Sequence, residues 1–270
     1  MLMSLKPLRI AVVAIFSAAI FACAVSPTGR NQILLYSGNQ MSQMGIAAYD
    51  SMKQEQKVST NSKQIAYVRC ITDRLIPYLP GTMKSMAWEV NIFDDENPNA
   101  FALPGAKIGV NTGMLALADN SAMLAAVIGH EIGHVWAQHG NERMSQGTLA
   151  QTGMTVAAVM AGEETTESRL ALAALGFAAK GVVLKYSRVH ESEADRIGLT
   201  LMAQAGFDPQ QAVELWKKMA AKGGKNVPEF FSTHPSEATR IKQLNRQMNT
   251  VMPIYQKALK SGSQVSCTLS

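Results

Sequence analysis

Charge, cysteine and histidine are all scarce in this chain. Asp, Glu, Lys and Arg make up 17% of the 270 residues, against 47% hydrophobic ones. That balance excludes a disordered chain and requires a sizeable core, in one large domain or two small ones. Neither sign of charge is in great excess. Taking Lys6 and Arg9 away with a leader leaves 23 basic and 20 acidic residues, a net +3 that is too mild to point to nucleic acid. There is no internal repeat. Met144 to Ala161 and Leu170 to Leu184 are rich in Ala, Met, Leu and Val, but Lys180 and scattered polar residues argue against membrane spans. A buried or lid-like helical pair is expected there, with membrane contact as the alternative.

Two of the five histidines stand four residues apart, in His130-Glu131-Ile132-Gly133-His134. On an α-helix that spacing stacks both imidazoles on one face, where they can share one metal ion. Neutral imidazole suits Zn2+. Glu131 sits about 100° round the helix, beside the open side of such an ion, where a carboxylate can take the proton of an attacking water. Asp119, Asn120 and Ser121 offer N-caps, Ala122 to Val135 is apolar, and Gly140 is placed for a C-cap. Together these predict a buried helix of about 18 residues. A hydrolytic zinc centre needs three protein ligands and an open position, so two histidines are not enough. His139, five residues beyond His134, is expected to turn away from the metal face as a surface or capping residue. His190, Glu191, Glu193 and Asp195 gather at the start of a helical stretch, Ser192 to Ala205. His234 stands at a helix entrance before Pro235.

Elsewhere the pattern predicts a mainly helical α+β fold with a small β-sheet before the motif helix. Helices are expected near Gln40 to Gln54, Ser62 to Tyr78, Asp208 to Gly223, and Pro235 to about Met248. Trp88, Val90 and Ile92 alternate with polar residues as a half-buried strand does. Ala100 to Leu103 and Ile108 to Asn111 flank Pro104-Gly105 as a hairpin. Ser26 to Thr60 is polar and reads as a tether leading into the first helix.

Lys6 and Arg9, followed by the uncharged run Ile10 to Ala22, form a signal-peptide pattern too short to span a membrane comfortably. Ile20-Phe21-Ala22-Cys23 resembles the lipobox of bacterial lipoproteins. The resemblance implies cleavage before Cys23 and lipidation of that residue, the alternatives being an ordinary signal or an uncleaved anchor. The expected location is then a bacterial cell envelope, lipid-anchored and facing the periplasm. Because no acidic residue directly follows Cys23, the outer membrane is favoured. The expected division is a signal peptide over 1–22, a lipidated tether and first helix over 23–60, a catalytic domain over 61–250 and a tail over 251–270. Cys70 and Cys267 remain as an even pair in an oxidising compartment, either joined in a disulfide or kept as two thiols.

The motif helix followed by Glu191-Ser192-Glu193-Ala194-Asp195 resembles the M48 zinc metallopeptidases, gluzincins with a zincin-like domain. Asn99-Ala100-Phe101-Ala102-Leu103-Pro104-Gly105, Ser187-Arg188 and His234-Pro235 with Arg240 match as well, in order, over roughly Gln64 to Arg246. The likeness is to the short bacterial lipoprotein, Oma1-like branch. It implies one Zn2+ per chain held by His130, His134 and Glu191, with Glu131 as general base. Glu193 competes with Glu191 on composition alone. The resemblance also implies that Asp195 steadies a ligand histidine. His234 is implied to approach the metal, as an inhibitory fourth ligand or as a group steadying the transition state, with a plain capping histidine still open. Arg240 is expected to be structural, with a contact to a carboxylate or to the tetrahedral oxygen as the other readings. Asn99, Ala100, Phe101 and Ala102 would lie on or beside a strand, Ala100 to Leu103, able to pair with an extended substrate, the alternative being the strand Ile108 to Asn111.

The expected activity is zinc-dependent endoproteolysis of unfolded or misassembled envelope proteins, a quality-control task, with the membrane reached through the N-terminal lipid. The alternative is a lipid-anchored periplasmic chaperone or assembly factor whose zinc site is gated or closed by His234. A cell-wall or small-peptide hydrolase is a third reading.

Overall fold

Short polar side chains decide where several helices begin. In the computed structural model, which describes residues 23–161, 187–222, 234, 239–263 and 265–269 (backbone alone for 23, 153–161 and 222), these caps are explicit. Asn61 Oδ1 accepts from the backbone N–H groups of Lys63 and Gln64 and starts α2, Ser62–Leu75, which follows α1, Gly38–Glu55. Asn120 Oδ1 accepts from Met123 N and starts α4, Ser121–Trp136, after the short α3, Thr112–Leu117. These side chains satisfy amides that the first helical turn leaves without partners.

The described residues divide into two compact units. The larger holds α1 to α4, a three-stranded sheet, and α6 (Arg188–Gln204), α7 (Gln210–Lys222) and α8 (Arg240–Lys260). Its sheet has the order β3-β5-β4, from Glu89–Phe93, Lys107–Asn111 and Ala100–Leu103. β4 and β5 form the expected hairpin, antiparallel with Ala100 opposite Val110, and turn through Gly105 and Ala106, both at positive φ. β5 runs parallel to β3 on its other side. Both edges of β5 are therefore filled. Tyr49 of α1 is fully buried against this sheet and donates its hydroxyl to Ile108 O at 2.5 Å. Gly109 is needed beneath Phe101, whose ring a Cβ there would meet at 2.2 Å.

The core of this unit sits where α4 packs against β4, α2, α6 and α7. Val68, Ile71, Ile92, Ile108, Leu124, Ile128, Leu201 and Met202 are completely or almost completely enclosed. α8 continues through Pro253 to Lys260, about three turns beyond the end expected near Met248. Proline removes one donor from that ladder, which the surrounding turns tolerate. Beyond α8, Cys267 is disulfide-bonded to Cys70 of α2. Reduction of this bond, which spans 197 residues of sequence, is expected to cost about 2–4 kcal/mol, mainly by freeing the unfolded chain. Urea midpoints measured with and without reductant check this, and coincident curves would refute it.

The smaller unit contains β1 (Cys23–Val25), β2 (Asn31–Ile33) and the part of α5 (His139–Ala161) after His139. The segment from Ser26 onward, read as a tether, is instead a hairpin followed by a bound strip. Arg30 makes a two-pronged ion pair with buried Glu142, and Gln32 donates to the same carboxylate. Asn141 holds the backbone of Tyr36, and Ser145 accepts from Leu35 N. Cys23 is the first residue of β1. The leader, and the stretch Leu170 to Leu184 expected to be helical, lie outside the described residues. Among the described residues, no helix is long and apolar enough to cross a membrane.

Candidate metal centre

The site forms where α4 crosses α6, and the crossing is close because the facing residues are small. A Cβ on Gly198 would lie 2.8 Å from His130 N and 2.9 Å from Gly129 C. A Cβ on Gly133 would lie 2.9 Å from Ala194 O. In each case the neighbour is backbone, so neither helix can yield without moving the histidines or the glutamate it carries. Gly198→Val is expected to cost about 1–3 kcal/mol by overpacking and to weaken zinc binding at least tenfold. Thermal unfolding and a chelator-competition titration measure the two effects, and unchanged zinc affinity would show that the crossing does not set the site.

This approach carries Glu191 to the pair of histidines. His130 Nε2 and His134 Nε2 are 3.1 Å apart, and each lies 3.4 Å from an oxygen of Glu191. His234 joins them, with Nδ1 2.9 Å from Glu191 Oε1 and 3.4 Å from His130 Nε2. One ligand atom from each of the four residues falls within 4.8 Å of all the others, and all four are buried. Two imidazoles and a carboxylate are a suitable donor set for zinc, with His234 as a further imidazole in the same cluster. Glu131 lies beside them, buried, with its Oε1 accepting no hydrogen bond and His234 Nε2 3.5 Å away. A buried carboxylate oxygen left unbonded is costly unless a cation or water serves it, so the residues fit a metal centre.

Burial raises the pKa of Glu131, with His234 and His130 pulling the other way. Burial also keeps His134 neutral, well below the usual histidine range. For Glu191 burial acts upward, but the neighbouring imidazoles of His130, His134 and His234 outweigh it and hold the carboxylate ionised. His130 is raised to about 9: burial and Arg240 lower it, and the bonds to Asp195 and Glu191 overcome both. A metal held here would take the place of that proton.

Further side chains fix this cluster from behind. Asp195, one turn beyond Glu191, places Oδ1 2.9 Å from His130 Nδ1. Arg240, at the start of α8, donates through Nε and Nη2 to Asp195 and through Nη1 to Glu191. Its guanidinium lies 3.4 Å from the centre of the Trp216 ring, a stack that sequence reading did not anticipate.

His139 departs most from expectation. It is fully buried, with Nδ1 2.9 Å from His134 Nδ1 and Nε2 3.1 Å from Glu193 Oε2. In a continuous helix five residues would turn it about 140° away from His134. The helix instead stops at Trp136, Gln138 takes φ 55, and a new helix begins at His139. Gly140 is therefore no C-cap. Glu193, which competed for the ligand role, points to His139. His190 stacks on His139 at 4.4 Å and closes a capping box with Ser187. The pattern His130-Glu131-x-x-His134 with a further histidine five residues on was the available signal.

A buried helix carrying both histidines, crossed by one that adds a glutamate, defines a zincin-type metal site on a mainly helical fold with a small sheet. The chain belongs to peptidase family M48, whose profile matches residues 62–248. It is similar to the mitochondrial metalloendopeptidase OMA1 of Schizosaccharomyces pombe, 36% identical over 180 residues covering 66% of this chain and 51% of that protein. The human protein named metalloendopeptidase OMA1, mitochondrial, is 28% identical over 85% of this chain and 47% of its own length. The beta-barrel assembly-enhancing protease of Escherichia coli is 27% identical over 60% of this chain and 35% of its own. The chain spans about half the length of the OMA1 proteins it matches.

These relatives correct the expected location. A lipid-anchored position at a bacterial outer membrane, read from the leader and Cys23, does not stand beside similar proteins from yeasts, a plant and animals that are named mitochondrial. The physical reason is that a short basic segment and one apolar run carry little address information. A small residue before a cysteine adds little more.

Proposed function

We propose that this chain is a zinc-dependent endopeptidase that cuts extended segments of unfolded or misassembled proteins. One observation carries the reading: His130, His134 and Glu191 converge on one point, with the unbonded oxygen of Glu131 beside it. His130, His134 and Glu191 would hold the zinc. When bound, zinc supplies a Lewis acid that polarises a peptide carbonyl and lowers the pKa of water. Glu131 accepts the proton of the attacking water and passes it to the leaving amine, a task suited to a carboxylate whose pKa burial has raised. Asp195 and Arg240 keep His130 and Glu191 in place while this happens.

Extended substrate is favoured by the sheet. β5 has neighbours on both sides, and the outer edge of β3 is covered by Lys57 to Ser59. Among the described residues no strand pairs with the outer edge of β4, which packs against α4. An added strand there would gain backbone hydrogen bonds with few demands on sequence. Asn99, Ala100, Phe101 and Ala102 would then flank the substrate.

Dialysis against a chelator is expected to abolish casein cleavage, stoichiometric Zn2+ to restore it, and metal analysis to give one zinc per chain. Cleavage by zinc-free protein would refute the reading. A second reading is favoured by the position of His234 inside the ligand cluster: a client-binding assembly factor whose zinc is closed by that residue. Turnover that appears only in His234→Ala would support it.

A further inference from the structure

We propose that His139 and Glu193 form a positioning pair that holds His134 in its metal-binding tautomer. The inference rests on the zinc reading above for its purpose, but the geometry is independent of it. Glu193 is buried, and in its ionised form the carboxylate accepts hydrogen bonds without donating. His139 Nε2, 3.1 Å from Glu193 Oε2, therefore carries the proton. With His139 neutral, its Nδ1 is an acceptor, and it faces His134 Nδ1 at 2.9 Å. Only one hydrogen can occupy that contact, so it belongs to His134. The lone pair of His134 is left on Nε2, the nitrogen that faces His130 and Glu191. Each assignment follows from the one before it, starting from the carboxylate.

The pair is also held rigid. His139 is fully buried and stacks on His190 at 4.4 Å with 27° between the rings. His190 is fixed in turn by Ser187, whose backbone N–H it accepts and whose hydroxyl caps its own amide. The two ligand histidines are thus oriented differently. Asp195 holds His130 directly, and Glu193 holds His134 through one intervening imidazole. Removing a group that orients a metal-bound histidine typically weakens metal affinity about 10–100-fold.

Three variants of the full chain test this. His139→Leu keeps bulk and removes both hydrogen bonds. His139→Gln offers a carbonyl to His134 and an N–H to Glu193. Glu193→Gln keeps shape and removes the charge that fixes the His139 tautomer. In nitrogen-15 spectra of chelator-treated wild type, His134 is expected as the Nδ1–H tautomer, becoming a mixture in His139→Leu and returning in His139→Gln. Zinc affinity measured against a competing chelator is expected to fall about 10–100-fold in His139→Leu, to recover within about threefold in His139→Gln, and to fall by an intermediate factor in Glu193→Gln. The Co2+ absorption band of the metal-substituted protein should shift in the same order. If His139→Leu does not fold, the contrast between His139→Gln and Glu193→Gln still decides. An Nε2–H His134 in wild type, or equal zinc affinity and Co2+ spectra across all variants, would overturn the proposal. A wild type with the expected tautomer but no proteolysis would sustain the pair and refute the enzyme reading instead.

Discussion

Glu131→Gln is expected to bind zinc as wild type does and to cleave casein about 100- to 10,000-fold more slowly. The substitution is nearly isosteric in a site where Glu131 is 3% exposed, so the packing of α4 should survive. None of the four converging ligand atoms belongs to Glu131, so the metal should stay. What disappears is the acceptor for the proton of the attacking water, since an amide oxygen is a very weak base. Matching zinc content beside lost turnover would separate proton transfer from metal binding. Cleavage within tenfold of wild type would remove Glu131 from the mechanism.

Arg240→Ala should produce the largest loss of stability. Arg240 is 4% exposed, and its guanidinium bonds two carboxylates and lies over the Trp216 ring. Its removal leaves Glu191 and Asp195 as buried anions facing one another's field, a change that typically costs about 3–5 kcal/mol. Lysine should not rescue it. A single ammonium cannot span Nε, Nη1 and Nη2 positions, and it lacks the planar face that stacks on indole. Urea unfolding of the metal-free protein measures this, because zinc would neutralise part of the same charge. A loss below about 1 kcal/mol in that form would show that the carboxylates are satisfied without Arg240.

The helical stretches, the hairpin and the paired histidines were legible because each depends on neighbours in sequence. Asn120 caps the helix it precedes, and the period of α4 sets His130 above His134. The hairpin β4–β5 follows from the turn at Pro104-Gly105. Longer-range contacts were less legible. The parallel pairing of β3 with β5, the folding of residues 23–36 onto α5, and the stack of Trp216 on Arg240 join residues whose spacing carries no signal. The leader misled for a related reason, since its few residues specify an apolar segment and leave the destination membrane open.

His139 marks the boundary most sharply. The sequence by itself determined the chemistry available to this protein: two imidazoles one helical turn apart, a carboxylate beside them, and acidic residues further on to complete a site. Local spacing is enough for that, because helix geometry is fixed by the backbone. The family likeness already implied Glu191 rather than Glu193, but only the tertiary structure set Glu191 beside the paired histidines and Glu193 on His139. That choice depends on the close approach of α4 and α6 through Gly129, Gly133, Ala194 and Gly198, and on a left-handed residue at Gln138 that turns His139 back toward His134.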